Sequence, residues 1–378
     1  MKTPRAAGKP AGRWINTAQG YRAFHPDPLP PAIEWTPQLV RVLSEADTLL
    51  GRLASEGRRL PNPHVLLRPF VRREAVLSSR IEGTQATLGE LLAAEAGQVI
   101  DRSPDDLREV GNYVVALEYG ITRLRTLPLS LRLVCELHAR LMDRVRGGHA
   151  TPGEFRRSQN WIGPAGCTLQ DATYVPPPPE TLLEHLGAWE TFLHDRTLPP
   201  LAQAALMHAQ FEAIHPFLDG NGRVGRLLIT LFLIEREILT TPLLYLSAFF
   251  EATRKDYYGN LLAVTQHGAW TDWIAYFLRG VARQSEDALA RAERINELLA
   301  QWRKGLAATK SPIAMSVLDR VASNPFVTAR GLQKDLDISF NTAARTIERL
   351  VRTKIVAPVD DRRRDRVYCA EALLKILT

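Results

Sequence analysis

The stretch His215-Pro216-Phe217-Leu218-Asp219-Gly220-Asn221-Gly222-Arg223-Val224-Gly225-Arg226 lies between two segments that are predicted to be helical. Residues 201–214 before it are rich in alanine, and residues 227–234 after it are mostly apolar. Glycines let a backbone approach phosphate groups closely, and the N–H groups at a helix start favour anions. The sequence therefore predicts a polyphosphate site at the start of a buried helix.

The side chains of this stretch suit chemistry on a nucleotide. Arg223 and Arg226 are three residues apart, so both can reach phosphate oxygens from the first helical turn. Asp219 offers the hard oxygen ligand that Mg²⁺ takes beside phosphates and water. His215 carries the side chain whose unperturbed pKa allows proton abstraction near neutral pH.

Two other interpretations of the stretch are disfavoured. Gly220-x-Gly222-x-x-Gly225 also spells a dinucleotide-binding fingerprint, but that motif needs a preceding strand, and residues 201–214 follow a helical pattern. A loop that only caps a buried helix would leave two arginines near an apolar interior without a partner, which is costly.

The stretch resembles the motif of the Fic family, His-x-Phe-x-(Asp/Glu)-Gly-Asn-Gly-Arg-x-x-Arg, and every position is filled. The resemblance implies a mainly α-helical fold with a small β-hairpin flap. It also implies transfer of AMP from ATP, with Mg²⁺, to a Tyr, Thr or Ser hydroxyl of a target protein, which can be the protein itself. Relatives in this fold use other phosphate-bearing donors, so ATP itself is inferred from the resemblance.

The resemblance also assigns roles to residues. His215 would deprotonate the target hydroxyl, and Asp219 would hold Mg²⁺. The nucleotide phosphates would be bound by residues from Gly220 to Arg226, namely Gly220, Asn221, Gly222, Arg223, Val224, Gly225 and Arg226, with Arg226 at the γ-phosphate. Two further aromatic residues, Tyr257 and Tyr258, are candidates for the wall of an adenine pocket, although aromatics at this spacing also suit a core.

A second region, residues 73–83, is predicted to be a short helix ended by Gly83, with a capping box at Thr87 and Glu90 starting the next helix. Ser78 and Glu82 are four residues apart and share one face. Taken alone, Glu82 suits a solvated helix end.

Ser78-x-x-x-Glu82-Gly83 resembles the inhibitory helix of the Fic family, (Ser/Thr)-x-x-x-Glu-(Gly/Asn), in the subgroup where this helix precedes the motif. The resemblance implies that Glu82 pairs with Arg226 and blocks productive placement of the γ-phosphate. The same pair of guanidinium N–H donors cannot bind a carboxylate and a phosphate at the same time. In some relatives the same glutamate positions a water that removes AMP, and the sequence leaves both roles open.

A third region, residues 153–175, contains short β-prone pieces interrupted by glycine, which predict a small hairpin. In the Fic family this position holds the flap, whose edge aligns the target backbone by strand addition. The alternative is a loop whose run Pro176 to Pro179 forms a polyproline ligand for an SH3-type domain.

The composition predicts a protein of two or three domains that resides in the cytoplasm. The 378 residues can bury a sizeable core, and no apolar run reaches the roughly 18 residues that a membrane helix needs. The N-terminus lacks an apolar signal core. Three isolated cysteines, Cys135, Cys167 and Cys369, fit a reducing compartment and have no metal-ligand spacing.

The chain divides into five predicted parts. Residues 1–22 hold five Lys or Arg and no acid, which favours a basic flexible tail. Residues 23–115 form an N-terminal helical region with the inhibitory helix, and 116–290 the Fic catalytic core. Residues 291–310 belong to a connecting helix, which extends a long amphipathic run at 280–302. Further helices are predicted at 38–56, 104–125, 128–145 and 180–195.

The last part, residues 311–378, is predicted to be a winged helix. Helices at 313–323, 328–336 and 341–353 are followed by two strands around a charged loop. Basic residues crowd the third helix and the loop, namely Arg345, Arg349, Arg352, Arg362, Arg363, Arg364 and Arg366. This pattern suits a phosphate backbone, whereas an ordinary solvated face or a protein-docking or dimerising module is the alternative.

Three functions are consistent with the sequence. The first, which three separate regions favour, is an autoinhibited protein adenylyltransferase. The second is a hydrolase that uses Glu82 and His215 to remove AMP from a modified target. The third is a DNA-binding regulator whose nucleotide site only senses ATP. The partners expected are target proteins, with DNA and a second copy of the chain as further candidates and no membrane.

Overall fold

The structure is a computed structural model that describes residues 10–59, 63–100, 104–145, 151–239, 241–307, 311–360 and 366–378. Strands β1 (Gly12–Asn16) and β2 (Arg22–Pro26) come first. The helices that follow are α1 (Pro37–Arg59), α2 (Pro63–Ile81), α3 (Leu88–Glu95), α4 (Pro104–Arg123), α5 (Leu131–Leu141), α6 (Pro179–Leu193), α7 (Pro200–Ile214), α8 (Asn221–Glu235), α9 (Ser247–Ala252), α10 (Arg254–His267) and α11 (Trp270–Ala307). The mainly helical fold class is thereby confirmed.

The predicted helices are found, but two of them are longer than the sequence pattern indicates. Helix α2 contains 19 residues and includes Pro69, so the region predicted as a short helix at 73–83 is only its C-terminal part. Helix α11 begins ten residues before the predicted 280, because its first turns carry buried aromatic residues such as Trp273 and Phe277. Those turns are buried in the core, so they lack the amphipathic pattern by which the rest was predicted.

The N-terminal segment corrects the prediction of a flexible tail over residues 1–22. Strands β1 and β2 form an antiparallel hairpin in the register Trp14 to Phe24, while residues 1–9 lie outside the described part. Trp14, Phe24 and Tyr174 form an aromatic cluster, with ring centroids 5.3 to 6.1 Å apart. The hairpin is therefore held by Tyr174, which lies 150 residues after Phe24 along the chain, and the local sequence carries no sign of that partner.

The region predicted to be the flap contains one antiparallel bridge instead of a pair of strands. Ile162 and Tyr174 exchange backbone hydrogen bonds of 2.8 and 3.0 Å, and the rest of 153–175 is loop. The interpretation of residues 176–179 as an SH3-type ligand is wrong. Pro176 and Pro178 are buried, and Pro179 begins α6, where the missing N–H of proline costs nothing.

Helices α7 and α8 form the centre of the core and carry the motif between them. Nearly every residue of α7 is buried, which explains its apolar, alanine-rich sequence. Helix α7 ends at His215, which adopts a left-handed conformation with φ 50°, and Pro216 cannot continue the helix. Helix α8 starts after Gly220, whose φ of 80° suits glycine.

The close approach of α4 to α8 yields a prediction about stability. A Cβ at Gly120 would lie 2.7 Å from Leu231 and 3.0 Å from Leu137, both fully buried. We expect Gly120→Ala to lower the free energy of unfolding by about 1–3 kcal/mol through overpacking. The control Gly111→Ala, on the same helix with open space around it, should raise it by about 0.5–1 kcal/mol. Guanidinium denaturation measures the change in the free energy of unfolding for both variants. Equal changes in the two variants would contradict this packing.

The C-terminal part combines short helices with a three-stranded antiparallel sheet. Its elements are α12 (Pro312–Ser323), β3 (Phe326–Thr328), α13 (Ala329–Leu336), α14 (Phe340–Arg352), β4 (Ala357–Pro358), β5 (Val367–Cys369) and α15 (Glu371–Leu377). The strands are ordered β3-β5-β4. The three predicted helices and the two predicted strands are present, whereas β3 and α15 were not predicted. The loop arginines 362–364 lie outside the described residues.

This C-terminal part is packed onto the rest of the chain. Its buried residues belong to the same hydrophobic cluster as those of α2 and α11. The Asn324 side chain donates a 3.0 Å hydrogen bond to the carbonyl of Leu92, at the end of α3. Arg303 of α11 pairs with Asp319 of α12 at 2.9 Å. The C-terminal part therefore packs against α2, which carries Ser78, and against α3 and α11.

Candidate active site

His215 lies at the C-terminal end of α7 with its backbone fixed by several hydrogen bonds. Its carbonyl accepts from Arg156 Nε at 2.9 Å and from Asn160 Nδ2 at 3.2 Å. Arg156 is buried and also donates to the carbonyls of Pro177 and Ile214. Because a left-handed conformation is unfavourable for histidine, these donors hold the residue in a position that the helix alone would not maintain.

The imidazole of His215 is set up to accept a proton. Nδ1 lies 3.2 Å from the carbonyl of Glu212, and a carbonyl can only accept, so Nδ1 carries the hydrogen and Nε2 keeps its lone pair. Burial lowers the pKa of His215 to about 4, although the Glu212 carbonyl opposes this shift. The side chain is therefore neutral at neutral pH.

The loop between His215 and α8 is braced from inside the protein. The Asn221 side chain accepts from the Phe217 amide and donates to the Phe217 carbonyl, both at 2.8 Å. Asn221 was predicted to line the phosphate cradle, and its side chain is buried and already engaged by Phe217. Asn221 can offer a ligand only its backbone N–H.

A second histidine, His138, supports the same loop and was not predicted. Its ring stacks on Phe217 with centroids 3.7 Å apart. Nε2 lies 3.1 Å from the Asp219 carbonyl, and Nδ1 accepts from the Gly153 amide at 2.9 Å. Burial lowers the pKa of His138 to about 4, which fits this neutral tautomer. Neither His138 nor Arg156 could be assigned a role from the sequence, since only the fold brings them to the motif.

Asp219 has the exposure and geometry of a ligand for a cation that also binds phosphates. Its side chain is half-exposed, and Oδ1 accepts from the Gly220 amide at 2.6 Å. The described residues contain no cluster of three or more His, Cys, Asp or Glu that could bind a metal by themselves. One carboxylate, completed by phosphate and water oxygens, fits Mg²⁺.

Arg223 is a buried cation, and some of its hydrogen-bond donors are not used. Its Nε and Nη1 atoms make no hydrogen bond within the described part of the chain. Carboxylate oxygens of Glu109 and Asp219 each lie 3.6 Å from the guanidinium, which is longer than a hydrogen bond. Unused donors on a buried guanidinium beside a helix start suit a phosphate group.

Arg226 contacts the helix predicted to be inhibitory. Its Nη2 donates to Glu82 Oε1 at 2.7 Å and to the Ser78 carbonyl at 3.0 Å, and its Nε donates to Ser78 Oγ at 2.8 Å. The guanidinium is 2% exposed, whereas the Glu82 side chain is 34% exposed. The sequence-based pairing of Glu82 with Arg226 is therefore present in the structure.

Charge and close packing support this pair. Burial opposes ionisation of Glu82, but the charge and hydrogen bond of Arg226 outweigh it and lower the pKa of the carboxyl. A Cβ at Gly222 would overlap Glu82 Oε1 and lie 2.9 Å from Arg226 Nη1. The absence of a side chain at Gly222 thus leaves the space that Glu82 occupies. Gly83, with φ 103°, ends the chain segment that bears Glu82.

Three predicted nucleotide contacts are wrong. Val224 is fully buried in the core, and Gly225 packs against α7, where a Cβ would lie 2.7 Å from Glu212 Oε1. Tyr257 is buried, and its hydroxyl lies 2.8 Å from Nε2 of His208, so it is a core residue. Of the two predicted tyrosines, Tyr258 presents its ring to solvent: it is 42% exposed, and its ring is tilted against that of Tyr257.

Comparison with known proteins agrees with this fold. Residues 40–122 match the model described as Fic/DOC family N-terminal, and residues 128–233 match the model described as Fic/DOC family, so half of the chain is covered. A crystal structure of a Fic family protein from Desulfovibrio desulfuricans G20 superposes with a TM-score of 0.60, covering 90% of this chain and 98% of that one at 20% identity. The chain belongs to the Fic/DOC family.

Part of the chain is similar to proteins named as adenylyltransferases. The chain is similar to protein adenylyltransferase Fic of Drosophila virilis, at 33% identity over 163 residues, and of Drosophila yakuba, at 32%. These matches cover 41% of this chain and 30–31% of the relatives, so less than a third of each relative is spanned. Within the described residues, no helix is long and apolar enough to cross a membrane.

Proposed function

We propose that the protein is an autoinhibited adenylyltransferase that transfers AMP from Mg-ATP to a hydroxyl side chain of a protein. The observation that carries this proposal is the convergence of a neutral imidazole, a half-exposed carboxylate and two buried arginines around the start of α8. A base, a cation ligand and phosphate-binding donors are the parts that nucleotidyl transfer requires.

The reaction follows from the positions of these groups. Nε2 of His215 removes the proton from the target hydroxyl, whose oxygen then forms a bond to the α-phosphorus of ATP. The bond from that phosphorus to the bridging oxygen of the β-phosphate breaks, and diphosphate leaves. Mg²⁺ bound through Asp219 would neutralise charge on the phosphates. Arg223 and the backbone N–H groups at the start of α8 hold those phosphates while the bond breaks.

Inhibition follows from the contact of Glu82 with Nη2 of Arg226, while Nη1 makes no hydrogen bond within the described residues. Productive placement of ATP needs a donor for the γ-phosphate, and Glu82 already accepts from Nη2 at 2.7 Å. The carboxylate is also negatively charged, so it repels an approaching phosphate. Release of Glu82 from Arg226 therefore activates the enzyme in this scheme.

Removal of AMP is a second candidate function, which the partial exposure of Glu82 favours. An ionised carboxylate that reaches solvent beside the phosphate site can orient a water toward a phosphodiester. Release of AMP from a modified target by the wild-type protein, lost on Glu82→Gln, would support this function. Retention of the AMP by the target would exclude it.

The proposed transfer is tested by incubating the protein and a cell lysate with Mg²⁺ and ATP labelled at either the α- or the γ-phosphate. Transfer of AMP predicts labelled protein bands with the α-label only. Bands with the γ-label would indicate phosphoryl transfer instead. A third lane with labelled GTP or CTP tests whether another donor replaces ATP.

The low pKa of His215 yields a prediction about pH. Because a pKa lowered to about 4 keeps the imidazole neutral, the transfer rate should not fall as the pH decreases from neutral to about 5. Below about pH 4 the base is protonated and the rate should fall about tenfold per unit. The measurement is the labelling rate of Glu82→Gln as a function of pH, because this variant has no carboxyl at position 82 that could titrate in the same range. A midpoint near 6.5 would contradict the buried, neutral state of His215.

A further inference from the structure

We propose that the C-terminal part of the chain binds duplex DNA through a stripe of basic residues on α14. The surface is defined by Asn341, Arg345, Arg349 and Arg352, which follow one another at intervals of four, four and three residues. Residues at these intervals lie on one face of a helix, so the three guanidinium groups project from the same side.

This stripe faces solvent because the opposite side of α14 fills the core. Ala343, Ile347 and Leu350 are buried against α12 and α13. Asn341, Arg345 and Arg352 are exposed, and Arg349 is half-buried. Among the described residues, none of the three arginines pairs with a carboxylate, so no described acidic side chain neutralises their charge.

The charge of the surface distinguishes a nucleic acid from a protein partner. The exposed face of α14 carries the three arginines and one acid, Glu348, and Lys354 extends the positive charge just beyond the helix. The centre of a protein interface is usually formed by aromatic or aliphatic anchors, and the four residues of the stripe include none, although the exposed Phe340 lies at the first residue of α14. A phosphate backbone, with one negative charge per about 1.7 Å of duplex, complements such a polar and cationic stripe.

The shape of the surface suits the major groove of B-form DNA. From Asn341 to Arg352 the helix rises by about 16 Å, and an α-helix with its side chains fits a groove of about 12 Å width. The charged face belongs to the third helix of the C-terminal part, and α13 precedes it at a short turn through Asp337. A helix, a short turn and a second, basic helix follow one another in the same order as in helix-turn-helix proteins, whose second helix reads the major groove.

The experiment measures binding of a fluorescent DNA duplex, several helical turns long and of arbitrary sequence, to the full-length protein by anisotropy. We expect the affinity to fall with salt, and Arg345→Glu combined with Arg352→Glu to weaken binding at least about tenfold and reduce the salt slope by about 2. The control is Arg283→Glu combined with Arg294→Glu, two exposed arginines of α11 with the same change of net charge.

Three results would overturn the proposal. The first is absence of duplex binding at low salt. If polyglutamate bound in that case, the stripe would be assigned to an acidic protein partner. The second is equal weakening by the two double variants, which would reflect net charge alone. The third is equal affinity for duplex RNA, whose deep and narrow major groove does not admit a helix. His215→Ala should bind the duplex like the wild type, so this test is independent of the proposed transfer activity.

Discussion

Replacing Glu82 with glycine is expected to raise the rate of AMP transfer about 10- to 100-fold, as judged by α-labelled ATP incorporated into protein. The Glu82–Arg226 contact is a charge-assisted hydrogen bond, and such bonds contribute about 1.5–3 kcal/mol, which corresponds to roughly that range of rates. Its removal frees Nη2 of Arg226 for the γ-phosphate. It also removes a negative charge from the phosphate site.

Two control variants isolate the charge of Glu82 from other effects. Glu82→Gln keeps the length of the side chain but loses its charge, so it should activate less than the glycine variant. Glu251→Gln removes the partner of Arg80 in a more exposed ion pair between α2 and α9, at 3.9 Å, and should leave transfer unchanged. A glycine variant with wild-type activity would show that Glu82 does not restrain the enzyme.

Replacing His215 with alanine is expected to lower the rate of transfer by about 10²- to 10⁴-fold, the contribution of a positioned general base. The variant removes Nε2, the ring nitrogen whose lone pair is available. Binding of Mg-ATP should be largely retained, because the base acts in the reaction step and the phosphates are held by other residues. The comparison is best made in the Glu82→Gly background, where the starting rate is high.

A matched control for this variant is His267→Ala, an exposed histidine at the end of α10. It should transfer AMP at the rate of its parent. If His215→Ala also did so, another residue would be the base. If it lost ATP binding as well as transfer, the loss would reflect a disturbed loop instead of a missing base, and a circular dichroism melt would reveal that disturbance.

The site was predictable from the sequence where a short segment carries both the residues and their spacing. The motif from His215 to Arg226 contains the proposed base, the carboxylate and both arginines within the loop after α7 and the first turns of α8. Ser78 and Glu82 were predicted to share a face, and both contact Arg226 in the structure. The capping box at Thr87 and Glu90 is present as predicted, because it depends only on neighbouring residues.

The parts that were missed depend on contacts between distant segments. The hairpin at Gly12–Asn16 and Arg22–Pro26 is stabilised by Tyr174, and His138 reaches Asp219 across 81 residues. Val224 and Gly225 were placed at the nucleotide by their position within the motif, and Tyr257 by its aromatic ring, whereas the fold turns all three toward the core. Spacing alone could not reveal these directions, since they are set by the packing of α7, α8 and α10.

The central claim is that Glu82 occupies the guanidinium that would bind the γ-phosphate, and calorimetric binding of Mg-ATP and Mg-ADP tests it most directly. The two nucleotides differ only in the γ-phosphate. We expect the wild-type protein to bind them with similar affinity, and Glu82→Gly to prefer Mg-ATP by about tenfold or more, because Arg226 then contacts the additional phosphate. A wild-type protein that already prefers Mg-ATP as strongly as the variant would contradict the account.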